Sequence, residues 1–467
     1  MRKLIILILI GMSIFLCGCP RPSKYARPEM PVPPAWPESA GSQAVTQAAP
    51  AAVDVKWQEF FADRRLQSVI ELALTNNRDL QMATLNIQRF RALYQIQSAE
   101  LYPTITAAAS VDAYRIPENL SGKGHPQTVA IYTIGLGSAS WELDFFGRIR
   151  SLKSRALEQY LATEQARSAT QISLVAAVAY SYLALAADRE NLKLAQSTLD
   201  TQQAFYDLVS RIRDLGIGND LDVRQAQSQV DAARVDIARY TGQLAFDENA
   251  LNLIVGTPVA ADLLSDNLDA VAGLKDISAG MPSDVLLRRP DILSAEHQLQ
   301  AANANINAAR ASFFPRIALT AAAGITSGDL GNLFKPAAGT WNFMPQVSLP
   351  IFDSGSRKAN YEVTQLDRDI AIAEYEKAIQ TAFKEVSNAL SLRTTLVAQQ
   401  DAQQSLVNTL AEAHRLSEAR YKGGIDSYLT VLIAQRSLYV AQQSLVGVRL
   451  ARLSNLVTLY KALGGGA

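Results

Sequence analysis

The chain has 467 residues, of which 48% are hydrophobic, 7% aromatic and 19% charged, with 44 basic side chains balanced by 44 acidic ones. That balance gives no electrostatic support for a nucleic-acid partner, because binding to a phosphate backbone draws on a basic excess. Beyond the N-terminal segment, roughly 410 residues exceed one ordinary globular domain, and the abundance of Ala, Gln and Leu favours closely packed helices.

At the N-terminus, Arg2 and Lys3 precede an apolar run from Leu4 to Leu16 and then the tetrad Leu16-Cys17-Gly18-Cys19. These are the n-region and h-region of a secretory signal. The run is shorter than the about 20 residues of a comfortable transmembrane helix. A small residue just before a cysteine, with Leu three positions ahead of it, resembles the bacterial lipobox. It predicts a signal peptide over residues 1–18 and lipidation of Cys19 as the first mature residue; the competing reading is an uncleaved signal anchor. Residues 19–53, rich in Pro, Ala and Ser, read as a flexible tether between lipid and body.

The body contains an internal duplication. The segment from Arg78 (RDLQMATLNIQRFRALYQIQSAELYPTI) matches the one from Pro290 (PDILSAEHQLQAANANINAARASFFPRI), with Asp79 to Pro103 and Asp291 to Pro315 both 24 residues apart. Gly147 to Gly216 and Gly355 to Gly424 both span 69 residues, and Gly216 to Gly256 and Gly424 to Gly464 both span 40. Equal spacing over such distances points to rigid elements of matched length. The domain reading is a first repeat over 54–256, an inter-repeat segment over 257–285 and a second repeat over 286–467.

In chain order, each repeat offers two strands and then two helices. The first strand pair is read from Ile105, Ala107, Ala109, Val111 and Ala113, and from Ala139, Trp141, Leu143 and Phe145, each set alternating with polar residues. The second is read from Ile317 to Ile325 and from Trp341 to Ile351. Runs of about ten residues suit tilted strands that cross a bilayer, although a half-buried hairpin pair has the same pattern. The 69-residue intervals lack proline and predict helices of about 60 residues, ~90 Å at 1.5 Å per residue. After each turn a heptad seam is expected: Val223, Ala226, Val230, Ala233 and onward in one copy, and Leu429, Leu432, Arg436, Tyr439 and onward in the other.

Four strands cannot close a barrel, and an open edge in lipid leaves backbone groups unsatisfied. If the strands span a membrane, several chains must share one barrel, and a trimer would supply twelve strands. The glycines at Gly216, Gly218, Gly423 and Gly424 suit the turns between helices whether or not they also bind a partner.

The motifs LYPTI, WELDFFGR, LLRRPDI, AANANINAARASFFPRI, LPIFDSG, SYLTVLIAQRSL and LYKALGGG together resemble the TolC-like outer-membrane efflux proteins. Within that family they are similar to the lipoprotein branch that serves RND multidrug pumps. The resemblance implies an α+β membrane protein, a homotrimer forming a 12-stranded barrel continued by a periplasmic coiled-coil tunnel. It also implies an equatorial region built from Phe60 to Thr75, Gly256 to Arg289 and the C-terminus. Its implied partners are outer-membrane lipid, a periplasmic adaptor (membrane fusion) protein and an inner-membrane RND pump. Adaptor docking is expected at the tips, Leu215, Gly216, Gly218, Gly423 and Gly424, and a periplasmic gate at Leu429, Ile433 and Arg436. Family members commonly carry an aspartate where this chain has Ile433. Either Arg436 then pairs with another acid, Asp222 or Asp426, or closure depends on Leu429 and Ile433. The apolar version is favoured, since burying an unpaired Arg436 is costly; the alternative is that these residues only fill the seam.

No enzyme chemistry or cofactor is expected. His125, His297 and His414 are far apart, and neither a Walker loop nor a nucleophile elbow is present. The competing functions are an outlet for a secreted-protein exporter and a lipid-anchored coiled-coil scaffold without a pore.

Overall fold

The computed structural model describes residues 25–37, 52–275, 277–278 and 285–465. The predicted signal peptide and Cys19 lie outside the described residues. After a short helical turn at Trp57–Phe60, the first repeat runs α1 (Arg64–Asn76), α2 (Arg78–Ala99), β1 (Thr106–Ile116), β2 (Gln127–Glu142), α3 (Arg148–Asp214) and α4 (Asp220–Val255). The second runs α5 (Pro290–Ala311), β3 (Arg316–Ser327), β4 (Gly339–Ser348), α6 (Ser356–Lys422) and α7 (Tyr428–Ala462). Helices α2 and α5 have 22 residues each, and α3 and α6 have 67 each. Matched spacing in the sequence thus becomes matched helix length.

The long helices start alike. Asp144 accepts hydrogen bonds from the amides of Ile149 (3.1 Å) and Arg150 (2.8 Å). Asp353 does the same for Gly355 and Arg357, both at 3.2 Å. A carboxylate over exposed helical N–H groups satisfies donors that have no partner within the helix.

Contacts divide the chain into two compact units, each drawn from both repeats. One holds Ile87–Thr163 and Ala295–Tyr375, the other Glu164–Ser294 and Glu376–Ala467 together with the residues from Met30 to Asn86. In the first unit, alanines at 301, 304, 308, 309 and 311 of α5 are buried with Ile306 and Leu299, and Phe146 stacks on Phe314 at 5.0 Å. In the second, Phe60, Phe61, Leu66, Ile70, Leu268 and Leu463 form a buried cluster with Tyr182 and Tyr460. Tyr460 stacks on Phe60 at 4.0 Å and donates from its hydroxyl to the Val55 carbonyl at 2.6 Å. The segments implied as equatorial therefore meet in one core.

The four strands form one antiparallel sheet in the order β1-β2-β3-β4. Register places Ala107, Leu136, Ala323 and Trp341 in one row and Ala109, Ile134 and Ile325 in the next. That face is apolar and open: Leu136 is 58% exposed and Trp341 78%. The opposite face carries Thr106, Ser110, Thr133, Thr326, Asn342 and Gln346, with Gly135 opposite Gly324. Such a sheet has one side suited to lipid and one to water.

Two strand expectations need correction. The strand read from Ala139 to Phe145 begins at Gln127 and stops at Glu142. A bulge between Ser138 and Trp141, with Ser140 at φ 55°, sets two residues against Thr320. It switches the apolar positions of β2 from even (Ala130, Tyr132, Ile134, Leu136) to odd (Trp141), so only the last turn of the alternation matched the sequence reading. Strand β4 ends at Ser348, two residues before Pro350, which has no amide to donate. The N-terminal stretch also differs from a free tether: Tyr25 and Arg27 are bonded to Glu296, and Trp36 stacks on Phe383 at 5.0 Å.

Gly324 permits this sheet to close up. A Cβ there would lie 2.2 Å from the Ile134 carbonyl oxygen and 2.6 Å from the Gly135 Cα. Backbone cannot yield as a flexible side chain does, and overpacking costs about 1–3 kcal/mol or more. Gly324→Val should therefore abolish the heat-modifiable band on an unboiled gel, while Gly331→Val, in an open loop, should leave it.

Candidate functional site at the two helical turns

The turn between α3 and α4 and the turn between α6 and α7 have one geometry. Gly216 adopts φ +77° and Gly424 φ +70°. In the first, the Gly216 amide donates to the Arg213 carbonyl at 2.8 Å and that of Ile217 to Ile212 at 3.2 Å. In the second, Gly424 donates to Tyr421 and Ile425 to Arg420, both at 2.9 Å. Both are Schellman caps, in which a left-handed residue lets two amides satisfy the last carbonyls of a helix. A Cβ on Gly216 or Gly424 would meet nothing within 4 Å, so the glycine is required by φ alone. Gly218 differs, since a Cβ there would lie 2.9 Å from the Arg213 nitrogen.

Leu215 is 75% exposed at the first turn. Ile217 at 80% and Ile425 at 66% are exposed apolar side chains at equivalent places in the two turns, and neither was singled out in the sequence. The signal was there: Ile follows the left-handed glycine in both copies, in LGIG and GGID. Charges flank the turns, with Arg213 on Asp214 at 2.7 Å and Arg420 on Asp426 at 2.6 Å and 3.0 Å. The fork of Arg420 holds the Asp426 carboxyl below its ordinary value. Behind the turns, Phe205 of α3 stacks on Tyr428 at 4.3 Å and sits 5.7 Å from Tyr421, and Tyr428 is buried with Ala226, Val431 and Leu432. Burial pushes the Tyr428 phenol above its usual value.

Leu429, Ile433 and Arg436 lie together on one exposed face of α7, Leu429 at 51% and Ile433 at 59%. The expected placement of Leu429 and Arg436 on the buried seam is corrected. Near the turn the buried residues are Tyr428, Val431 and Leu432, with Ala441 further on. Val431 and Ala441 are the repeat equivalents of Val223 and Ala233, which are buried in α4. The duplication, rather than the run of large side chains, locates the seam. Of the two acids considered for Arg436, Asp426 is held by Arg420 and Asp222 is bonded to Asn219 at 3.0 Å.

Asp247 of α4 faces Asp188 of α3. The Asp188 carboxyl is raised from its ordinary value to about 6, first by burial, then by its hydrogen bond to Asp247 and the repulsion between them, with Asn191 and Arg239 opposing. Gln243 donates to Asp247 Oδ1 at 2.9 Å. A raised carboxyl binds its proton more tightly folded than unfolded, so that stabilisation is present at low pH and lost as pH rises through about 6. The thermal midpoint in detergent should fall between about pH 4 and 6, and Asp247→Asn should flatten that dependence.

A chain with a two-faced sheet open at both edges, joined to long helical hairpins, defines a subunit of an outer-membrane channel. The family model described as outer membrane efflux protein matches residues 69–257 and 281–465, and the chain belongs to that family. It is 48% identical to the antibiotic efflux pump outer membrane protein ArpC of Pseudomonas putida, over 97% of this chain and 94% of that one. It is 40% identical to the cation efflux system protein CusC of Escherichia coli, over 97% and 98%. Among solved structures, the open state of the Neisseria gonorrhoeae MtrE outer membrane channel superposes with a TM-score of 0.87 at 38% identity, covering 96% of this chain and 98% of that one. The fold class is that of the trimeric outer-membrane channels, four strands per chain with a long coiled-coil part. The protein is an outer-membrane efflux channel subunit that reaches into the periplasm.

Proposed function

We propose that three copies of this chain form the passive exit duct of a tripartite efflux system, completed by a periplasmic adaptor protein and an inner-membrane RND pump. The observation that carries the assembly is the sheet with unpaired outer edges on β1 and β4, which lipid does not tolerate. Twelve strands from three chains pair every edge. The cargo is small molecules, a class that fits relatives named for antibiotics and for cations. The family's role as an efflux channel favours this reading over a protein exporter's outlet, and the two-faced sheet favours it over a scaffold without a pore.

In this reading Cys19 carries the lipid, and the adaptor docks at the tips formed by Leu215, Gly216, Gly218, Gly423 and Gly424. Ile217 and Ile425 supply exposed apolar contact there. They are also cleaner probes than the glycines, because changes at Gly218 or Gly424 disturb the turn itself. Ile217→Asp with Ile425→Asp should lower drug export on the order of tenfold, as loss of a hot-spot contact does, with trimers unchanged on a gel. Full export by that double variant rules out docking at these turns.

The gate is apolar in this reading. Leu429 and Ile433 of three chains face one another across the axis, and Arg436 forms a basic ring beyond them. Supporting this, both nearby acids are engaged within their own turns. In planar bilayers, Leu429→Ser with Ile433→Ser should raise open probability more than Arg436→Ala. An opening produced by the arginine change alone makes the gate ionic.

A further inference from the structure

Charged side chains gather where the strands meet the long helices. Arg316 opens β3 opposite Ser348 of β4, and Glu142 closes β2 opposite Ala318. Side chains alternate along a strand, so Glu142, Arg316 and Ser348 share the polar face, the one turned to water when three such sheets close into a barrel. Arg148, at the start of α3, donates to Glu142 from Nε to Oε1 and from Nη2 to Oε2, both at 2.9 Å. Arg316 Nε lies 2.7 Å from the same Oε2.

One carboxylate thus serves two guanidinium groups. The fork of Arg148 takes both of its oxygens, and neither Nη group of Arg316 has a hydrogen bond among the described residues. The Arg316 side chain is 57% exposed, against 9% for Glu142. Nearby, Arg357 is engaged by Asp353 and Asp144 by Arg150, while Glu100 acts on Arg148. Arg316 is the guanidinium left with donors to spare.

These groups line a cavity of about 360 Å³ between the strand ends and the helix starts, a volume within the range of small-molecule sites. Its apolar wall is built by Phe146 and Phe314, stacked at 5.0 Å with planes 16° apart, beside Pro315 and Pro350. Arginine donors next to an aromatic wall suit an anionic group carried on a flat apolar body. A bare inorganic anion would leave the wall unused, and a neutral aromatic compound would leave the guanidinium unused.

We propose that this cavity is a cargo site at the neck of the barrel, one per chain, for small aromatic anions of the arylcarboxylate and arylsulfonate class. Arg316 is the recognition group and Glu142 the residue that positions it. The site deepens the reading of the trimer as an exit duct and rests on it. Passage requires binding strong enough to enter and weak enough to leave. An arginine that shares its carboxylate and faces a water-filled lumen meets both conditions.

Ser348→Cys in the full-length trimer, held in lipid nanodiscs, puts a thiol across the strand pair from Arg316. Labelling by an anionic methanethiosulfonate reagent should outpace labelling by a cationic one, each rate taken relative to a free thiol. Adding Arg316→Gln should cut that ratio about tenfold; an unchanged ratio overturns the role of Arg316. Sodium naphthalenesulfonate should slow the labelling, whereas sodium sulfate at equal ionic strength and neutral naphthalenemethanol should not. Equal protection by either of those two overturns the aromatic-anion assignment. Arg316→Lys should keep the charge bias and lose most of the protection, and full protection in that variant overturns recognition by a guanidinium. A thiol that reacts with neither reagent denies this face a water-filled lumen and brings down the duct reading together with the site. A reactive thiol that naphthalenesulfonate leaves unprotected brings down the site alone.

Discussion

Unpaired backbone groups in hydrocarbon set the terms for this molecule. The sheet satisfies its own amides and carbonyls from β1 through β4 and leaves an edge at each end. In water such edges are a liability that charges or bulges manage; in lipid each free group costs several kcal/mol with no solvent to compensate. Closure must then come from other chains. The demand for a common ring also explains why the two repeats keep equal helix lengths, since an element one turn longer in one copy would meet nothing in its neighbour.

The two faces of the sheet follow from the same constraint. Small residues dominate the polar face where strands approach most closely, as at Gly135 opposite Gly324, and aromatic and branched residues fill the outward rows. The bulge at Ser138 to Trp141 keeps Trp141 on the apolar face beside Leu319 even though the sequence parity has changed. One inserted residue thus preserves a side at the expense of a regular pattern.

Much of the fold was legible in the sequence, and the misses have physical causes. Matched glycine and proline spacing gave the repeat and both long hairpins, because rigid helices tolerate no insertions. Strand parity failed in β2, because a bulge is invisible to a period-two reading. The seam of α7 failed near its turn, because Leu429 and Arg436 have the spacing of a seam without its burial. Gly216 and Gly424 were legible as turn residues, whereas the exposed Ile217 and Ile425 depend on cap geometry that composition does not express. The bond between Arg27 and Glu296 was not legible at all. It joins residues 269 apart in the chain.

The duplication also shows where the copies have parted. Gly216 and Gly424 are equivalent, and so are the caps around them, which keeps both turns alike. Shifting by the same interval sets Leu221, Gln225 and Ser228 of α4 against Leu429, Ile433 and Arg436 of α7. One copy presents an amide and a hydroxyl where the other presents a branched apolar side chain and a guanidinium. Packing does not impose that difference, since the buried positions, Val223 and Ala233 against Val431 and Ala441, remain apolar in both. A polar face is at ease beside water in any state, whereas an apolar one gains by meeting its own kind. In the proposed trimer only the second hairpin therefore has a reason to converge on the axis, and the first is left free to stay at the periphery.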